Sequence, residues 1–134
     1  MIYVLYENKD WLPPLTDALK SLNLHYECLK TTGGSIDIRE IPNAGVYINR
    51  MSPSSHTRGH QDGVIFTKEY LQILEDCELP VINGSRAFSF ELSKLKQHSA
   101  LEHFGIKTPK HNYVTFWNKK PKHNYVTLWN KTNL

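Results

Sequence analysis

Cysteine is scarce in this sequence: Cys28 and Cys77 stand far apart, neither in a CxxC pair nor beside histidines at metal-ligand spacing. That speaks against a thiolate metal site and predicts two buried thiols in a reducing cytoplasm. Long hydrophobic runs are missing as well. No apolar stretch approaches the roughly 20 residues that span a bilayer. Met1 leads straight into Ile2-Tyr3-Val4-Leu5-Tyr6 without a basic leader or a small-residue cleavage site, so the expected location is cytoplasmic, away from the membrane. Charge of one sign is not in excess: sixteen basic against thirteen acidic side chains leave +3. That surplus is too small to argue for nucleic acid. The seven glycines never fall into GxGxxG, GxSxG or a GK[ST] loop. The pair Gly33-Gly34 therefore reads as a turn, with a phosphate cradle as the weaker alternative.

What is present suffices for one α/β domain. Hydrophobic residues make up 40% of 134, ordinary globular usage that supports a packed core. Residues 2–6 are apolar without alternation, as in a strand buried on both faces of a parallel sheet. Trp11, Leu12, Leu15, Ala18, Leu19 and Leu22 then follow helical spacing, with Pro13 and Pro14 in the first turn and Asn8 or Asp10 as N-cap. Asn23 ends that helix. Strands are expected at 25–29, 45–49 and 79–83, and an amphipathic helix from Thr67 to near Glu78. A last helix after Gly84-Ser85 carries Phe88, Leu92, Leu95, Ala100 and Leu101 toward the core and stops at Gly105, a C′ glycine. The order β-α-β-β-α-β-α with short loops implies a small, mostly parallel sheet flanked by helices over residues 1–109.

Residues 110–134 differ in kind. Pro109 to Lys119 recurs twelve residues later as Pro121 to Lys131, with Phe116 replaced by Leu128. Two copies are too few for a solenoid. A tandem duplication of the coding sequence explains the near-identity better than a β-hairpin does.

The densest polar segment is Asn49-Arg50-Met51-Ser52-Pro53-Ser54-Ser55-His56-Thr57-Arg58-Gly59-His60. It follows an expected parallel strand, the edge where open α/β sheets place ligands. Arg50 and Arg58 are candidates to clamp a carboxylate or phosphate, with Ser52, Ser54, Ser55 and His56 as further substrate contacts. The competing reading is a solvated loop whose hydroxyls cap their own backbone. A Ser–His nucleophile is a third possibility, but neither a nucleophile elbow nor an orienting acid accompanies it. His56 and His60 at i and i+4 could grip zinc only on a helix, which Pro53 and Gly59 oppose. Lys94, taken alone, is a solvated helix lysine.

Three blocks in series resemble RimK-like ATP-grasp ligases: Val46-Tyr47-Ile48-Asn49-Arg50; Leu79-Pro80-Val81-Ile82-Asn83-Gly84-Ser85-Arg86-Ala87; and Ser93-Lys94 through Gly105-Ile106-Lys107-Thr108-Pro109. The match covers residues 45–109, and residues 1–44 agree only in general pattern. The resemblance implies a Rossmann-like pre-ATP-grasp domain of a ligase that joins a small-molecule or peptide carboxylate to an amine through an acyl phosphate. It also implies a substrate-facing Arg50 and a Lys94 that reaches the phosphates of ATP. The family's second lysine, glycine-rich flap and magnesium ligands lie beyond the position of Pro109, where this sequence carries its repeat instead. The chain by itself is thus expected to be an inactive, truncated form that assigns no catalytic or metal-binding residue and does not hold ATP and magnesium tightly. A partner chain bearing a grasp domain is one way to complete it. The alternative is a stand-alone binding module for an anionic small molecule or a partner protein.

Overall fold

A computed structural model of the chain describes residues 1–37, 39, 40 and 42–109. The duplicated segment 110–134 lies outside the described residues. The chain divides into two compact units, Met1–Leu92 and a second that begins at Ser93.

The first unit is an α/β layer structure on a four-stranded, all-parallel sheet. The strands are β1 (Ile2–Tyr6), β2 (Tyr26–Lys30), β3 (Val46–Arg50) and β4 (Val81–Ile82), in the order β2-β1-β3-β4. Register is continuous across the centre: Val4 lies opposite Cys28 on one side and Ile48 on the other. Helix α1 (Pro13–Ser21) links β1 to β2, and α2 (Gln61–Asp76) links β3 to β4. The two crossovers travel in opposite directions along the sheet, so right-handed connections place their helices on opposite faces.

Each face has its own core. On one side Tyr3, Leu5, Tyr47 and Met51 pack with Leu71 and Leu74 of α2 and with Phe88 of α3 (Ser85–Glu91). Tyr3 and Tyr47 stack with centroids 4.8 Å apart, a preferred aromatic geometry. On the other side Val4 packs with Leu12 and Leu19. The central strand therefore buries both parities of its side chains, which is why its sequence shows no simple alternation.

Several sequence expectations need correction. Asn8 caps a short 3-10 helix, Lys9–Trp11, by accepting from the Asp10 N–H at 3.0 Å; α1 begins after it, at Pro13. Of the proposed apolar face only Leu12 and Leu19 are buried, while Trp11, Ala18 and Leu22 are exposed. Asn23 does end α1, in the left-handed conformation at φ 54. The polar loop before Thr67 is largely helical: a second 3-10 helix spans Pro53–Arg58 and α2 starts at Gln61. Its start escapes notice because Gly63 occupies a buried position where an apolar side chain would signal the helix. The single last helix is two, α3 and α4 (Lys94–His103), with Ser93 capping the second by accepting from the Lys96 N–H at 3.2 Å. α4 belongs to the second unit and has no buried residue; Leu95 and Leu101 are exposed, and so is Leu92 before it. Gly105 closes α4 at φ 73, as expected. The thiols are not both buried: Cys28 is half-buried and Cys77, capping α2, is exposed. No helix among the described residues is long and apolar enough to cross a membrane.

Candidate functional site

A sheet in the order β2-β1-β3-β4 starts at an inner strand, runs outward, then returns past its start. The strand order reverses between β1 and β3. Adjacent crossovers diverge there, and a crevice opens at the carboxyl ends of the strands. In this chain the crevice has a volume of about 280 Å³ and is lined by Tyr6, Glu7, Asn8, Lys9, Lys30, Arg58 and His60.

At its base sits Glu7, whose side chain is only 1% exposed. The residue continues the parity of Tyr3 and Leu5, which turns it toward the face that carries α2 and the second 3-10 helix. Arg58 donates Nε–H to Glu7 Oε1 and Nη2–H to Oε2, both at 2.8 Å, a two-pronged pair. His60 Nδ1 lies 2.8 Å from the same Oε1. The Arg58 hydrogen bonds hold the Glu7 carboxyl below the usual carboxylate range, against desolvation, which raises it, and with help from His60. The ionised pair raises Arg58 in turn. The guanidinium also lies 4.8 Å from the ring centre of Trp11, so that exposed indole is a cation–π partner and not a core residue.

Gly59 makes this arrangement possible. It ends the second 3-10 helix at φ 79, a left-handed turn that lets Arg58 and His60 reach one carboxylate from either side. Lys9 and Lys30 bring two further cations and have no ion-pair partner among the described residues. With His60 neutral the crevice carries three cations against one carboxylate, so an anion is the complementary ligand.

The sequence-predicted residues are distributed unevenly around this site. Arg58 lines it, but its guanidinium is committed to Glu7. Arg50, exposed at the end of β3, pairs in register with Tyr6, and its side chain makes no hydrogen bond or ion pair among the described residues. Ser52 caps the second 3-10 helix by accepting from the Ser54 N–H at 3.3 Å, and the hydroxyls of Ser52 and Ser54 lie 2.9 Å apart. Ser55 is completely buried and donates to the His60 carbonyl at 3.2 Å. His56 turns its Nδ1 to the Pro53 carbonyl at 3.0 Å. The four therefore hold their own turn together, and Ser55 and His56 form no nucleophile–base pair. Lys94 belongs to the second unit, in α4, where its Nζ donates to Gln97 Oε1 at 2.9 Å.

Glu7, Lys9 and Lys30 were missed by sequence reasoning. Their one shared signal is placement: each stands at or just past the end of an apolar strand. Glu7 adds an acid at the position where the next inward-facing residue of β1 should be apolar.

The Asn83-Gly84-Ser85 block has a structural role. Asn49 Nδ2 donates to the Asn83 carbonyl at 3.0 Å and Asn83 Nδ2 returns to the Asn49 carbonyl at 3.4 Å, joining the ends of β3 and β4. Glu75 accepts from the Ser85 N–H at 2.8 Å and from the Ser85 hydroxyl, which caps α3. A second cleft of about 400 Å³ beside these residues thus has its carboxylate already engaged.

No family model matches the chain, and no curated protein matches it. Among the described residues no group of three or more His, Cys, Asp or Glu side chains could hold a metal ion. Those residues therefore supply no all-protein cage for a metal such as magnesium.

Proposed function

We propose that this chain is the substrate-binding α/β domain of a RimK-like ATP-grasp carboxylate–amine ligase, and that the crevice between β1 and β3 holds the anionic group of the acid substrate. The observation that carries this reading is the surplus of two positive charges at the point where the strand order reverses. Lys9 and Lys30 supply mobile point charges, while the Glu7–Arg58–His60 cluster supplies a rigid polar floor. Arg50 stands at the neighbouring strand end, free to add a guanidinium fork. In ligases of this kind ATP activates the carboxylate, and that chemistry belongs to the grasp domain. The work assigned to this domain is to bind and orient the acid.

Succinate is a suitable probe. In an NMR titration it should shift the signals of Lys9, Lys30 and His60, and the double variant Lys9→Ala/Lys30→Ala should bind it about 10-fold more weakly or worse. Shifts confined to other parts of the protein would overturn the assignment. The ligase half of the reading has its own test: a RimK-like grasp domain supplied in trans, with ATP, magnesium and an amine, should consume the acid. Binding without any such turnover would leave a stand-alone anion-binding module as the function.

A further inference from the structure

Glu7 does more than neutralise Arg58. Its carboxylate accepts only, so a neutral His60 ring facing it at 2.8 Å must carry its proton on Nδ1. Nε2 is then a bare lone pair. No partner reaches it among the described residues, and His60 lines the crevice with its side chain 36% exposed. We infer that His60 is a proton-linked contact of the anion in the crevice, repelling an oxyanion through the Nε2 lone pair when neutral and donating Nε2–H to it when protonated.

The balance is simple: the ring takes one proton from solvent, and no other bond is made or broken. Anion and proton then favour each other's binding, because each gains a partner when the other is present. The charged groups around the ring come from every neighbouring element: Glu7 past β1, Arg58 on the second 3-10 helix, Lys9 on the first, Lys30 at the end of β2, and Asp62 in the first turn of α2. Glu7 stays ionised through the relevant range because Arg58 holds it so. The inference rests on the reading of the crevice as an anion site.

Sulfate tests it cleanly, since it stays divalent while imidazoles titrate. Its affinity for the full chain should be measured by NMR at about pH 5.5 and about pH 8.0, either side of the ordinary imidazole range, at fixed ionic strength. Binding should be about 5-fold tighter or more at the lower pH. His60→Gln should lose that difference. His25→Gln, at the opposite end of the sheet, should keep it. The ring nitrogen shifts of the unmodified protein give an answer that needs no variant, and a neutral ring protonated on Nε2 would overturn the inference. Sulfate that binds the crevice with a pH dependence surviving in His60→Gln would sink this inference and leave the anion site standing. Sulfate that perturbs no crevice residue at either pH would end both.

Discussion

Glu7 shows how one residue is explained by its partners and by nothing in its immediate sequence. A carboxylate this buried is stable as an anion only when its oxygens are filled by donors, and Arg58 and His60 fill them. Because the folded state holds the Glu7 carboxyl below its usual range, the cluster stabilises the fold above the unfolded carboxylate pKa, about 4.3. That contribution is lost as pH falls through the lower, folded value. Glu7→Gln should therefore melt below the unmodified protein at pH 7, and the gap should close as pH drops below about 4.3. Urea titrations at a series of pH values measure this. A gap independent of pH would mean that the carboxylate is not ionised in the folded protein. Glu7→Ala, which also leaves a void, should cost about 1–3 kcal/mol at neutral pH, Arg58 keeping partial access to water.

At the scale of elements, the decisive contact is the seating of α2 at its first turn. A Cβ on Gly63 would lie 2.7 Å from the Thr31 carbonyl oxygen, 2.8 Å from Thr32 Cα and 2.7 Å from Met51 Cε. Two of those three atoms are backbone and cannot swing aside. Helix propensity alone makes Gly63→Ala stabilising by about 1 kcal/mol. The close approach predicts the reverse, a loss of about 1–3 kcal/mol, which is a fall in Tm of roughly 5–15 °C for a domain of this size. The sign of the change in a thermal melt decides between them. Displacing α2 would also move His60, its N-cap residue, and with it the floor of the crevice.

At the scale of the whole molecule, the unit Met1–Leu92 has a core on each face of its sheet and both crossover helices. It also contains every residue that lines the crevice. A fragment of residues 1–92 should therefore melt cooperatively and retain the succinate-induced shifts of the full chain. A non-cooperative melt would show that residues beyond Leu92 complete the fold.

The strands, the parallel sheet and the end of α1 at Asn23 were legible in the chain itself, because apolar runs, helical spacing and left-handed asparagine act within a few neighbouring residues. A polar segment at the end of β3 was legible too, from its density of polar groups. Its division of labour was not. Arg50 and Arg58 look alike in sequence, yet one side chain is exposed without a partner among the described residues and the other is spent on a carboxylate fifty-one positions away. Ser52, Ser54 and Ser55 look like ligand donors, yet folding turns Ser52 and Ser55 onto the backbone of their own turn and Ser54 onto the Ser52 hydroxyl. Lys9 and Lys30 meet only because parallel strands carry their carboxyl ends to one edge of the sheet. Pairing of charges across such distances depends on strand order and crossover direction, and those are set by burial over the whole unit, which no local pattern encodes.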